Sequence, residues 1–297
     1  METSPKKHFF SDVHIHLQDP QFGKSWEEVE RYVERAKNLG ITRLVSASTS
    51  PADWNRTAEL AERFDSAYAC FGVHPWYVRK ISGDWLPILE SFLINYVAKN
   101  GSKPLLGEVG LDAAVNEYSQ VEKKAQEDSL RGQLEIANSL GIPVVVHSVR
   151  ANDRILKMMK EFPKVPAWLM HGWIATQDEI EAASELGAFF SFSKRSTAPR
   201  AVKSRATIAA APRDKILLES DGPRLLPPTG YNNSVMTSPE VYLQFRSADG
   251  LILEDSSSML DAAKEICAIR KVSEEDFFEQ LEINERRFFR SIPQKSA

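Results

Sequence analysis

Short apolar runs recur along this chain between longer segments of mixed polarity. The runs are Phe9–Ile15, Arg43–Ala47, Ala67–Val73, Pro104–Val109, Pro143–Val146, Ala167–Met170, Ala188–Phe192 and Lys215–Leu218, each bounded by Gly, Pro or polar residues. Strands buried on both faces require such short, nearly continuous apolar stretches. The segments between them carry helical spacing. Ser25–Leu39 opens on a serine with Glu28 three residues on, a capping-box pattern, and stops before Gly40. Gln120–Leu140 runs into Gly141-Ile142-Pro143, and Thr176–Leu186 ends at Gly187. Helices that stop at glycine just before a strand are the punctuation of βαβ units.

Eight strands alternating with helices predict an α/β fold, a closed (β/α)8 TIM-type barrel, as a single domain over residues 1–297. A doubly wound open sheet is the alternative, and the absence of G-x-G-x-x-G after the first strand counts against it. The irregular stretch at about 227–258 reads as the loop after the eighth strand plus an insertion. Ser258–Phe289 reads as two C-terminal helices closing the barrel.

Composition narrows the class. Hydrophobic residues make up 42% and charged residues 26% of the 297, enough for a large core and an ordinary surface. The formal net charge of −4 leaves no global basic field for nucleic acid, so such a substrate needs a local patch or a bound cation. Cys70 and Cys267 stand far apart and read as reduced core residues. No apolar run approaches the length that spans a bilayer, and Met1–His8 lacks a signal-like apolar segment. The expectation is a soluble, cytoplasmic enzyme with no membrane contact and no obligate protein partner.

Of six histidines, five (His14, His16, His74, His147 and His171) fall at or just past the carboxyl end of an expected strand. Glu108 and Asp221 follow strands in the same way. In α/β barrels every strand delivers its end to one mouth, where active sites are built. Singly, each residue has a bland explanation: a histidine near a strand end is often a hydrogen-bonded structural residue, and an acid there is often a helix N-cap. Together, imidazoles and carboxylates converging on one opening suit a divalent cation. His14 and His16, two residues apart on a strand, face the same side. Six groups are too many for one catalytic ion, so two are expected, with Glu108 as the bridge. His14, His16 and Asp221 would complete one site, and His147 with His171 the other. The metal could be Zn, Mg or Mn.

The chain also resembles the TatD family of metal-dependent hydrolases. The resemblance runs through Asp12-Val13-His14-Ile15-His16, Gly72-Val73-His74-Pro75 and Gly107-Glu108-Val109-Gly110-Leu111-Asp112. It continues through Pro143-Val144-Val145-Val146-His147, Met170-His171-Gly172-Trp173, Leu218-Glu219-Ser220-Asp221-Gly222-Pro223 and the closing segment from Asn284 to Phe289. It implies a TIM-type barrel, two divalent ions and hydrolysis most often described as deoxyribonuclease. By resemblance, His14, His16, Glu108 and Asp221 serve one metal, Glu108, His147 and His171 the other, and His74 stands on the substrate side. The loops differ from the family pattern: Ala113 and Ala114 stand where aromatics are frequent, Val149 stands where an arginine is common, and Pro227–Asn233 replaces the usual loop.

The expected chemistry is phosphodiester hydrolysis of DNA by a metal-activated water, with Asp221 as general base. Arg150 and Arg224, each just beyond an expected ligand, could hold phosphate, and Lys194 and Arg195 are further candidates. Trp76 and Trp173 could stack on a base or simply pack loops. The alternatives are a dinuclear hydrolase of a small phosphate ester, amide or lactone, and a non-catalytic scaffold barrel.

Overall fold

The computed structural model describes residues 8–20, 25–114, 119–223, 244–246, 252–254 and 257–292. Eight parallel strands follow one another in sequence order around one sheet. They are β1 (Phe10–Ile15), β2 (Ile41–Ala47), β3 (Ala67–Phe71), β4 (Leu105–Asp112), β5 (Val144–Val149), β6 (Trp168–His171), β7 (Ala188–Phe192) and β8 (Ile216–Leu218). Between and after them lie α1 (Trp26–Asn38), α2 (Trp54–Arg63), α3 (Leu86–Asn100), α4 (Gln120–Leu140), α5 (Asn152–Met159), α6 (Gln177–Glu185), α7 (Lys194–Thr197) and α8 (Val202–Ala210). All eight expected strands form, displaced by a few residues at their ends. The expected insertion lies mostly outside the described residues; within it, β9 (Gln244–Arg246) pairs antiparallel with β10 (Ile252–Glu254). Two helices, α9 (Ser257–Arg270) and α10 (Glu274–Phe288), complete the chain as expected.

Local chemistry sets the helix ends. Ser25 Oγ accepts from the Glu28 N–H while the Glu28 carboxylate accepts from the Ser25 N–H, so two orphan donors at the start of α1 are satisfied reciprocally. Thr176 and Glu179 do the same for α6. At the end of α4, Gly141 adopts a left-handed φ of 59°, and its N–H returns to Ala137. β1 and β4 are buried along their whole length, as strands packed on both faces must be. Cys70 and Cys267 are buried free thiols. Among the described residues, no helix is long and apolar enough to cross a membrane.

Closing the barrel requires β1 to meet β8, and β8 has only three residues. Just beyond its end, the Asp221 N–H donates to the His14 carbonyl at 3.0 Å and the His16 N–H donates to the Gly222 carbonyl at 2.7 Å. The Ser220 N–H adds a bond to Asp12 Oδ1 at 3.0 Å. At the other end of the seam, α10 supplies side chains to both strands. Asn284 Nδ2 donates to the Arg213 and Ile216 carbonyls at 3.0 and 2.9 Å, on the β8 side. The neighbouring Glu285 accepts from the Ser11 N–H and hydroxyl at 2.6 and 2.7 Å, on the β1 side.

Asn284→Ala should therefore leave two carbonyls at the seam unsatisfied and lower the unfolding free energy by about 1–3 kcal/mol. Urea denaturation checks this; an unchanged midpoint would show that α10 does not secure the seam.

Candidate metal centre

The barrel gathers its titratable residues at the carboxyl ends of the strands, where the sequence puts them. His14 lies within β1 and His16 one residue past it; their rings stand 4.9 Å apart, edge to face. Glu108 sits in the middle of β4, because that strand runs on to Asp112 rather than stopping at Val109. His147 comes from β5, His171 is the last residue of β6, and Asp221 and His74 lie three residues past β8 and β3. Gly110 sits opposite His147 in the β4–β5 ladder, where any side chain would collide with the His147 carbonyl. Glycine there lets the two strands come close enough for their side chains to share one centre.

Glu108 is the centre of the cluster. Its Oε2 lies 3.3 Å from His14 Nε2 and 3.4 Å from His16 Nε2. Asp221 Oδ1 lies 3.9 Å from both of those nitrogens. The other carboxylate oxygen, Glu108 Oε1, lies 2.7 Å from His147 Nδ1, 3.3 Å from His171 Nε2 and 3.4 Å from His74 Nε2. The donors fall into overlapping groups in which each offers an atom within 4.8 Å of the others: His14, His16 and Asp221; His14, Glu108 and His171; and His74, Glu108 and His147. Donors held tetrahedrally at about 2.0–2.1 Å around one cation stand roughly 3.4 Å apart, so these spacings fit. Both ring nitrogens of His14 are buried with no hydrogen-bond partner among the described residues. An orphaned buried polar group costs about 1–3 kcal/mol, and a cation would satisfy Nε2.

Hydrogen-bond partners sort the imidazoles further, because the partner on one ring nitrogen fixes what the other can do. His16 Nδ1–H donates to the Ala47 carbonyl at 2.7 Å, His147 Nε2–H to Asp112 Oδ2 at 3.2 Å, and His171 Nδ1–H to Glu219 Oε2 at 3.1 Å. In each ring the remaining nitrogen faces Glu108 and is available as a ligand. His74 is the reverse. Its Nδ1 accepts from the Trp76 N–H at 3.1 Å, so in the neutral ring the proton sits on Nε2. That nitrogen is then a donor pointing into the cluster.

The charges follow. Burial pushes the Glu108 carboxyl up, but the surrounding His74, His14 and His171 outweigh it and hold it well below the usual carboxylate range. Burial lowers His14, with His171 adding to the effect, and takes His74 down to about 4. Burial also works against charge on His147, yet its hydrogen bonds to Asp112 and Glu108 win and raise it to about 9. His171 is raised well above its ordinary value, Glu219 and Glu108 outweighing burial. Asp221 is held low against burial, chiefly by Arg195, whose Nη1 lies 3.0 Å from Oδ2. Without metal, the second donor nest thus holds protons where a cation would sit.

A cavity of about 480 Å³ opens over the cluster, lined by Trp76, Ala114 and Val149 on one side and by residues of α7 and α8 on the other. Of the cations named from sequence, Arg195 lines it. Lys194 pairs instead with Asp261 at 3.6 Å. Arg150 stands exposed at the end of β5 and does not line the cavity, and Arg224 lies outside the described residues. Trp76 lines the cavity, whereas Trp173 is buried, stacks on Phe190 and donates to Asn152, so it packs a loop.

Sequence reading overlooked the supporting residues. Asp112 holds His147 and also accepts from Trp76 Nε1 at 2.7 Å. Glu219 holds His171 and accepts from the Ser191 hydroxyl. Even spacing was the available signal, since Asp112 lies four residues from Glu108 and Glu219 two from Asp221. On α4, Gln126 brackets the Asp112 backbone and Gln133 the Val73 backbone, each donating and accepting. Seven residues apart, the two amides share a helix face and brace the segments that carry Asp112 and His74.

A family model described as TatD related DNase matches residues 11–290. An uncharacterized metal-dependent hydrolase, YjjV of Escherichia coli, is 31% identical over 214 residues, covering 72% of this chain and 79% of YjjV. A protein of Erwinia billingiae named 3'-5' ssDNA/RNA exonuclease TatD is 31% identical over 219 residues, covering 73% of this chain and 80% of its own. Among solved structures, the YjjV crystal structure superposes with a TM-score of 0.74 at 23% identity, covering 95% of this chain and 98% of that one. A TatD family hydrolase from Entamoeba histolytica reaches 0.76 at 16% identity, covering 95% and 98%. These structures share the barrel.

Because His147 and His171 are protonated near neutral pH in the metal-free cluster, metal uptake should release about two protons at pH 7. Affinity should rise with pH through about 9, where His147 gives up its proton unaided, and His171, raised well above its ordinary value, extends the rise for as long as it keeps its own. Calorimetric titration of zinc or manganese in buffers of different ionisation enthalpy reads the proton count; a count of zero would contradict the charge assignment.

Proposed function

This chain belongs to the TatD-related DNase family, and we propose that it is a divalent-metal-dependent hydrolase cleaving phosphodiester bonds of single-stranded nucleic acid. The observation that carries the reading is the Glu108 carboxylate, one oxygen facing His14 and His16 and the other facing His147 and His171. The whole chain is read as one hydrolase domain.

His14, His16, Asp221 and Glu108 would hold one divalent cation, and Glu108, His147 and His171 a second. Such cations, when bound, supply a lowered pKa for a reacting water and charge neutralisation at a phosphoryl oxygen. The mixed nitrogen and oxygen donors suit zinc or manganese better than magnesium. Asp221 keeps its carboxylate ionised beside Arg195, so it orients a water and takes up its proton. His74, neutral and with Nε2–H directed into the cluster, donates to a phosphoryl oxygen. Arg195 faces the cavity from the far side of Asp221 and complements the charge that grows on the transferring group. Trp76, Ala114 and Val149 form an apolar wall against which a base can lie.

Relatives named for 3'-5' exonuclease action on single-stranded DNA and RNA support this substrate class. Cleavage of defined single-stranded DNA and RNA should stop on chelation and return when zinc, manganese or magnesium is added back. Asp221→Asn should lower kcat by about 10²–10⁴-fold. Turnover of a small ester or lactone, with nucleic acid left intact under every metal, would replace this reading with the small-substrate one.

A further inference from the structure

The wall of the cavity built by α7 and α8 has a chemistry the hydrolytic cluster does not use. Ala201, Val202, Lys203 and Ser204, the start of α8, all line the cavity. The N–H groups of a helix's first turn have no partner inside the helix, and they carry the positive end of its dipole. Here the N-cap is Ala201, which provides no side-chain cap, and no acid stands in the first turn. Arg200 and Lys203 line the same wall, are exposed, and have no acidic partner among the described residues.

A second observation is independent of the helix end. Ser193, Ser196 and Ser204 line the cavity while only 4%, 8% and 8% exposed. None of their hydroxyls makes a hydrogen bond to another described residue. These three line the cavity together with Arg200, Lys203 and the start of α8. Free backbone donors, hydroxyls, a guanidinium and an ammonium on one wall form a donor-rich surface, on which the hydroxyls can turn their protons toward a bound acceptor.

The geometry points to an anion subsite on the α7–α8 wall that takes a second, unreacting phosphate of the substrate. The inference rests on the nucleic-acid reading and sharpens it. A substrate reaching both the Glu108 cluster and this wall carries two phosphates joined through a sugar, with a base left for the Trp76 side. The preferred substrate is then an oligonucleotide of two or more linkages, and a lone phosphodiester fills only the hydrolytic half. Helix N-termini with adjoining cations bind phosphate by this combination of dipole, backbone donors and charge.

The test compares two single-stranded oligonucleotides on the metal-loaded enzyme, one with ordinary linkages and one with a neutral methylphosphonate flanking the scissile bond. Wild type should prefer the charged substrate by at least about tenfold in kcat/KM, following the 10²-fold scale of misplacement effects. In Arg200→Gln/Lys203→Gln the ratio should fall to within about threefold of unity, and Arg200→Lys should retain most of it. A wild type without preference, or a double variant that keeps it, overturns the subsite. Because the readout is a ratio within one protein, partial loss of folded enzyme does not imitate the result. A parallel measurement follows binding of a fluorescent oligonucleotide with uncleavable linkages by anisotropy. In the double variant the slope of log affinity against log salt should flatten by about 0.7 for each phosphate no longer neutralised. Wild type that binds with this salt dependence but cleaves no nucleic acid under any metal sinks the nuclease reading and leaves the subsite standing. Absence of binding sinks the subsite.

Discussion

Everything at this barrel's mouth depends on an ionised carboxylate at its centre. Glu108 is 2% exposed, and a lone buried carboxylate would be expelled or protonated, since desolvation costs several kcal/mol after relaxation. It stays charged because imidazoles approach both oxygens within 3.4 Å. The requirement runs in both directions. Glu108 needs positive charge around it, and together with Asp112 and Glu219 it holds the protons on His147 and His171. Divalent cations satisfy the same demand with more charge and fewer protons. The metal-free and metal-loaded clusters are thus two solutions to one electrostatic constraint.

That constraint is built into the closure of the fold. β1 and the segment after β8 meet through the backbone of His14, His16, Asp221 and Gly222. Three of those four also carry side chains of the candidate metal centre. Barrel closure therefore sets the spacing between His14, His16 and Asp221 by main-chain hydrogen bonds, which vary less than side-chain packing. At the opposite end α10 secures the same two strands with adjacent residues, Asn284 towards β8 and Glu285 towards β1. The candidate ligand side chains sit on the barrel strands or within three residues of their ends, and Ala114 and Val149, which vary from the family pattern, line the cavity.

How much of this could be read from the amino-acid sequence follows from the range of the forces involved. Strand positions, glycine stops and the Ser25 capping box depend on neighbours a few residues away, and they were legible. The convergence of His14, His16, Glu108, His147, His171 and Asp221 was legible too, since strand direction alone decides which end a residue reaches. What the pattern could not give was direction beyond the strand. Arg150 follows a ligand closely yet points outward from a left-handed backbone position, with φ of 54°. Arg195, lacking any motif, reaches Asp221. Trp76 and Trp173 look alike in sequence, each close behind a histidine, and only the acceptors Asp112 and Asn152 decide that one faces the cavity and the other the core. The tautomer of His74 is set by a backbone N–H two residues on, which no residue pattern reveals.

Charge distribution reconciles an acidic chain with the anionic substrate proposed for it. A net charge of −4 would repel a polyanion if it were spread evenly. It is not spread evenly: several surface acids pair locally, as Glu161 does with Arg131 and Asp128 with Lys124, away from the mouth. Around the cavity, Arg195, Arg200 and Lys203 are among the lining residues, with Asp221 and Glu108 the acids among them. Both of those acids would be committed to cations in the loaded enzyme. The field at the mouth then turns positive over a distance shorter than the roughly 8 Å screening length at physiological salt. A polyanion would feel little attraction until part of it enters the cavity.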